Sequence, residues 1–465
     1  MIKLPQQNEQ SSVRSKDVKP LNLLKIFMVF LLPMLLSNFL QGLSGTLNNI
    51  FVSQMIGDKA FAALSAFFPV VFLMISIVIG LGAGGSILVG QAFGAGNLNK
   101  VKSITGTTLS LNFLLGIVFA VLGGLFLDEL LVLLKTPDDL FLSTKHYAYV
   151  MLLNIPFIFL FICFTSLLRG AGDSLTPLLA LIVSTLLGVC LTPIFILGPF
   201  GLPSLGIMSP ALAILFANIM TMSLLIYYLK KTRHILAFTR EFLSHLMIKI
   251  SYLKIIFKIS IPMTVQMITI AVSELLIVRL INTFGSDATT SYGAMIQILG
   301  YVQFPAISIA ITVSILGAQA IGRGELALLK KITLTGLLVN LLLTGGLVLF
   351  ILFFSDFIVR FFISDLTTIK LTKHILMLTL WGMIIFGFAR VFAAIMQSSG
   401  IVLIPTLINV IVVIFIQLPI AGFLDNSFGL TGVWLSYPIA FSIMLLMQFS
   451  YYWFSWRHKT ITRLI

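Results

Sequence analysis

Twelve apolar runs separated by short polar breaks dominate this 465-residue chain and restrict what it can fold into. They fall near residues 24–56, 60–93, 103–127, 146–170, 175–197, 207–229, 255–284, 288–320, 332–355, 374–397, 402–424 and 432–456. As a helix rising ~1.5 Å per residue, each is long enough to span the ~30 Å hydrocarbon core of a bilayer. Composition agrees: 59% of residues are hydrophobic, 9% are charged and mean hydropathy is +1.11, whereas a soluble domain carries about 25% charged residues. A soluble globular fold is excluded. The second and eighth runs exceed what a perpendicular crossing needs, so they are expected to tilt, kink or extend beyond the membrane. Pro69 and the glycines Gly80, Gly82, Gly84 and Gly85 mark the expected bend in the second.

A net charge of +14 would suggest nucleic-acid binding in a soluble protein. Here the basic residues lie between hydrophobic runs and form no single polar face, so the charge reads as topology, with no nucleic acid as partner. With the chain starting inside, the inner segments hold 21 lysines and arginines; the opposite loops hold six, Lys59, Lys135, Lys145, Arg360, Lys370 and Lys373. That bias predicts both termini in the cytoplasm. Residues 1–22 are polar, mixed in charge and without a signal-peptide core, as expected of a disordered cytoplasmic tail, and 457–465 form a second tail. Cys163 and Cys190 sit in apolar runs without acidic or histidine neighbours at ligand spacing, so neither a disulfide framework nor a zinc site is indicated.

The chain also repeats itself. Gly90-Gln91-Ala92-Phe93-Gly94-Ala95-Gly96 returns as Ala318-Gln319-Ala320-Ile321-Gly322-Arg323-Gly324, an offset of 228. The same offset pairs Gly57 with Gly285, Lys102 with Lys330, Asn112 with Asn340, Gly172 with Gly400, Pro177 with Pro405 and Pro210 with Pro438. Matched leucines would mean nothing in so apolar a chain, but matched Gly, Gln, Asn and Pro at one offset indicate duplication. The expected fold is an all-α polytopic membrane protein of twelve transmembrane helices in two pseudo-symmetric six-helix bundles, residues 23–229 and 255–456. A cytoplasmic connector, 230–254, joins them. Six crossings per half insert both halves the same way up, related by an axis along the membrane normal, with a cavity between them.

Three segments carry a family likeness: Gly45-Thr46-Leu47-Asn48-Asn49-Ile50-Phe51-Val52 in the first helix, Gly90 to Asn97 at the end of the second, and Leu168-Arg169-Gly170-Ala171-Gly172-Asp173-Ser174-Leu175-Thr176-Pro177 at the end of the fourth. With the duplicated twelve-helix plan, the chain resembles the multidrug and toxic compound extrusion (MATE) transporters over nearly its whole length. The resemblance implies export of small amphipathic, often cationic organic compounds in exchange for H+ or Na+, with no cofactor. It implies a monomer working in the bilayer of a bacterial cytoplasmic (inner) membrane. Many family members carry an aspartate where this chain has Asn48, and several have Asn-x-x-x-Asp-Pro in the fifth helix, where this chain reads Gly188-Val189-Cys190-Leu191-Thr192-Pro193. Asparagine neither exchanges a proton near neutral pH nor adds charge to a sodium site, which argues against coupling through the N-terminal half.

Glu274, in the seventh helix, is the one carboxylate deep inside an apolar run, at a place where several family members carry a coupling glutamate. A membrane-embedded carboxylate costs several kcal/mol and is read first as functional. Two roles are open: ion coupling or substrate contact, and a structural ion pair with Arg390 in the tenth helix. Arg390 could instead face an anionic or zwitterionic substrate, and Arg279, nearer the outer end of the seventh helix, reads as snorkelling. Gln41 and Asn48 share one face of the first helix with Asn38 nearby; they and Asn154 either bond between helices or line the cavity. Tyr292 and Tyr301 on the eighth helix are further cavity candidates. Pro33 and Pro262 open corresponding helices as kinks. There is no Gly-Lys-Ser/Thr phosphate loop, which excludes ATP-driven transport by this chain alone. No cluster of catalytic type supports an intramembrane enzyme. A lipid-linked precursor flippase of the same superfamily is the alternative transporter reading.

Overall fold

The structure is a computed structural model that describes residues 20–198, 204–362 and 365–465; residues 1–19 of the expected tail lie outside it. Among the described residues twelve helices are long and apolar enough to cross a membrane: α1 Asn22–Ile56, α2 Asp58–Gly94, α3 Leu98–Leu125, α4 Asp138–Gly170, α5 Leu175–Leu197, α6 Gly206–Lys231, α7 Ile250–Asn282, α8 Ala288–Arg323, α9 Ala327–Phe353, α10 Leu366–Ser398, α11 Leu403–Asp425 and α12 Leu430–His458. Lipid offers backbone amides no partner, which is why the chain spans it only as helix. Two helices, α4 and α10, start eight residues before their apolar runs. Asp138 and Asp139 occupy the first turn of α4, and Asp365 caps α10 by accepting from Thr368 N at 2.8 Å. Negative charge favours a helix N-terminus whatever the hydropathy, and a hydropathy window does not register it.

The duplication is visible in the backbone. Gly96 and Gly324 end α2 and α8 at φ +70° and +80°, and Gly172 and Gly400 follow α4 and α10 at φ +90° and +83°. Both positions require a left-handed turn that residues with a Cβ rarely adopt. Helix pairs recur in the same way: α2 packs on α4 as α8 does on α10, α5 on α6 as α11 on α12, and α1 on α5 as α7 on α11. Crossings between the halves repeat too, α2 meeting α7 and α8 meeting α1. The halves exchange core: Leu23, Phe27 and Leu31 of α1 pack with Ile309, Val313 and Ile395 of the C-terminal half.

α2 runs unbroken from Asp58 to Gly94 with Pro69 inside it, and its glycines lie at close helix contacts. Gly80 and Gly84 admit Thr264 and Ser260 of α7, Gly82 abuts Ser166 of α4, and Gly85 meets Thr108 of α3. Small residues let helix backbones approach closely, the main source of cohesion between helices in lipid. Pro33 and Pro262 lie inside α1 and α7, not at their openings. Ser37 Oγ donates to the Pro33 carbonyl at 2.7 Å.

Candidate functional site

The two halves meet closely at the end of the molecule that carries the connector, here called the basic end. Gly94 of α2 packs against the Gln319 carbonyl, and Gly322 of α8 against the Gln91 carbonyl, the same backbone contact made twice. Gln91 Nε2 donates to the Ser398 carbonyl at 2.8 Å, and Gln319 Nε2 donates to the Gly170 carbonyl at 3.2 Å. Residues 170 and 398 are themselves 228 apart, so the pair obeys the repeat. A segment after α12 adds to one side only: Leu464 N–H donates to Gln91 Oε1 at 2.9 Å. Leu464 and Ile465 pack against the N-terminal core, while Ile461 packs against the C-terminal one.

Midway along the helices the two crossings differ. At α2–α7 the contact surfaces are Gly80 and Gly84; at α8–α1 the repeat places Ser308 and Thr312 there. Asn38 Nδ2 donates to Ser308 Oγ at 2.8 Å, and Tyr301 stacks on Phe39 with ring centroids 5.8 Å apart. Phe304 closes that cluster edge-on, 5.4 Å from Phe39, and its ring fills the space beside Gly42. Tyr301 is thus a seam residue between the halves.

Glu274 sits one turn before Ile277, which with Ile281 faces the C-terminal core, while Ser260 and Thr264 face α2. At about 100° per residue, that places Glu274 between the core and the N-terminal half. It is exposed, and Tyr292 of α8 and Tyr437 of α12 lie within its electrostatic reach. Tyr292 and Tyr437 both pack on Trp434, at 5.6 Å each. Tyr437 Oη and Trp434 Nε1 are buried without a hydrogen-bond partner among the described residues. Sequence reasoning missed Trp434 and Tyr437, because one apolar run among twelve does not reveal which neighbour it faces. The Glu274–Arg390 ion pair, one of the two roles left open for Glu274, does not form among the described residues: Arg390 is half-buried with its Nε unpartnered, and no carboxylate pairs with it.

Asn48 lines a pocket of about 100 Å³ between α1, α5 and α6, with Ser44, Gly188 and Thr192 around it. Thr192 Oγ1 donates to Asn48 Oδ1 at 3.5 Å, a long bond between two uncharged groups. Gln41 is exposed on α1. Asn154 takes the inter-helix role: fully buried, it accepts from Asn218 Nδ2 of α6 at 3.2 Å. A second, larger cavity of about 290 Å³ lies between α7 and α11, and Arg279 is in its wall. At the basic end, outside the membrane-spanning segments, His234 Nε2 lies 3.6 Å from Asp173 Oδ2. Burial pushes the His234 imidazole below its ordinary value, and Asp173 opposes this.

Two repeat-related six-helix bundles, in backbone contact at one end and lined at mid-depth by polar and aromatic side chains, have the architecture of a polytopic membrane transporter. The MatE family model matches residues 33–194 and 262–422, once in each half. The chain belongs to the MatE family. It is 39% identical over 460 residues to "Probable multidrug resistance protein YoeA" of Bacillus subtilis (strain 168), covering 98% of this chain and 99% of that one. It is 24% identical to "Multidrug export protein MepA" of Staphylococcus haemolyticus, covering 90% and 91% of the two chains. Among solved structures, a point mutant of the Vibrio cholerae MATE transporter VcmN superposes with a TM-score of 0.86 at 18% identity, covering 95% of this chain and 99% of that chain.

Proposed function

We propose that this protein is a secondary-active exporter that moves small amphipathic organic compounds, cationic ones included, out of the cytoplasm. It exchanges them for protons or sodium ions by alternating access between its two halves. Multidrug resistance and export in the names of its relatives support the substrate class. The observation that carries the mechanism is Glu274, a carboxylate on the inter-half side of α7, set against a pocket at Asn48 and Thr192 that holds no charge. An ion entering from outside meets one membrane-embedded acid, in the C-terminal half, so coupling runs through that half. One charge crossing ~100 mV supplies about 2.3 kcal/mol, enough for a roughly fifty-fold gradient of a neutral substrate. The positive-inside bias supports both termini lying in the cytoplasm; the location is the cytoplasmic membrane of a bacterium and the working unit a monomer.

The test is substrate efflux from proteoliposomes under an imposed proton or sodium gradient. Gradient-driven efflux is expected from the wild type and from Asn48→Leu, and is expected to be lost in Glu274→Gln. Undiminished efflux in Glu274→Gln removes Glu274 as the coupling residue. Wild-type efflux indifferent to both gradients removes antiport itself.

A further inference from the structure

The cavity between α7 and α11 lies apart from the site just described. Its wall is apolar, built by Leu276, Leu280, Leu418 and Ala421, with Arg279 as its one charged group. Its volume of about 290 Å³ is at the lower end of the ~300–1,000 Å³ range of ligand clefts. Ile277 and Ile281 point into the C-terminal core, and Ser260 and Thr264 meet α2. Counting about 100° per residue from Ile277, residues 276, 280 and 283 fall on the opposite side of α7 from the α2 contact. The groove therefore opens away from the other half, towards lipid. Leu276 at its lip is 44% exposed, and Leu275 and Phe423 beside it are exposed as well.

Depth and charge narrow the occupant. Arg279 stands one turn before the end of α7 at Asn282, away from the basic end, and the last turn of a spanning helix is where headgroups are expected. It is exposed and makes no ion pair or hydrogen bond among the described residues. The Thr283 hydroxyl is spent on the Leu280 carbonyl, at 2.7 Å. A free guanidinium above an apolar slot complements an amphipathic anion whose phosphate sits at the rim and whose chain runs down the groove. The repeat sharpens this. Residues 48 and 51 of the N-terminal pocket correspond to 276 and 279, so where that pocket has the uncharged pair Asn48 and Phe51 this groove has Leu276 and Arg279. The two cavities share these two lining positions, and the charge is found in the C-terminal one alone.

We propose that the α7–α11 groove binds an anionic phospholipid of the leaflet away from the basic end, its phosphate on Arg279 and an acyl chain against Leu276, Leu280 and Leu418. The experiment is native mass spectrometry of the full chain released from micelles containing phosphatidylglycerol and phosphatidylcholine in equal amounts. Wild type is expected to retain phosphatidylglycerol over phosphatidylcholine. Arg279→Gln should lower that retention about fivefold, the contribution of one basic residue at a membrane surface. Leu276→Trp, which fills the groove from its exposed lip and leaves the charge in place, should lower it at least as much. Equal retention of phosphatidylglycerol by wild type and Arg279→Gln overturns the proposal, because Arg279 then only snorkels. Retention unaffected by Leu276→Trp overturns it too, since the groove then holds no chain, as does retention of glycerol phosphate matching that of the lipid. None of these readouts depends on transport, so they stand apart from the coupling role of Glu274.

Discussion

Gln91 and Gln319, 228 residues apart, make the same hydrogen bond in opposite directions: each side-chain amide crosses to the far half and donates to a carbonyl at the end of its fourth helix. The bonds are buried, Gln91 being 1% and Gln319 6% exposed, so water does not replace them while the basic end is closed. A net hydrogen bond contributes about 0.5–1.5 kcal/mol. Gln91→Leu or Gln319→Leu should therefore shift the balance towards an open basic end by roughly fivefold. The rate of modification of a cysteine placed at Ala95, probed from the basic side, checks this. An unchanged rate would mean that the backbone contact alone holds the seam.

That contact is itself exposed to test. An added side chain at Gly94 would meet the backbone of Gln319, and one at Gly322 the backbone of Gln91. Neither neighbour is a flexible tip that can swing away, and overpacking costs about 1–3 kcal/mol. Gly94→Val and Gly322→Val should fold and insert, yet populate the closed basic end far less. Spin-label distances across α2 and α8 should lengthen, and distances within each half should not.

The segment after α12 is predicted to act as a strap. Its Leu464 N–H occupies Gln91 Oε1, and its side chains touch the cores of both halves. Leu464→Asp would put an unpaired charge into that apolar seat. The same cysteine probe should then react faster by about the factor seen for Gln91→Leu. Combining the two changes should add less than their sum, because both break one shared contact.

His234 gives a pH dependence whose sign follows from its surroundings. Burial holds the imidazole below its ordinary value, so the folded state binds this proton less well than the unfolded state does. The stability contributed is complete above about pH 6.5 and is lost as pH falls through the lowered folded value. The melting midpoint of detergent-purified protein should drop between pH 7.5 and 5, and His234→Gln should flatten that part of the curve. A steeper drop in the variant would reverse the assignment.

Much of the architecture was legible in the sequence. Twelve spans, their order and the duplication follow from residue type and spacing alone, because lipid admits one solution for a polar backbone and because glycines at left-handed turns cannot drift. Ranges slipped at α4 and α10, where an acidic first turn and an aspartate cap start the helices ahead of their apolar runs. The candidate site was legible only in part. Glu274 stands out because an acid in an apolar run is rare, and Asn48 and Thr192 fall together in one pocket as a shared site requires.

Which helices touch was another matter. Arg390 and Glu274 look like partners by charge, but charge says nothing of which way each helix face turns, and the fold leaves them unpaired. Tyr437 comes within electrostatic reach of Glu274 from a helix about 160 residues further on, with Trp434 packed against it, through rotations that no local pattern encodes. By itself the sequence determined how many times the chain crosses, which residues are doubled and where one acid sits inside an apolar run. The tertiary structure decided which doubled residues meet and which cavity stayed neutral. Apolar helices in lipid satisfy their backbones in any arrangement, so partner choice rests on close packing between faces, a property of pairs of surfaces and not of any one segment.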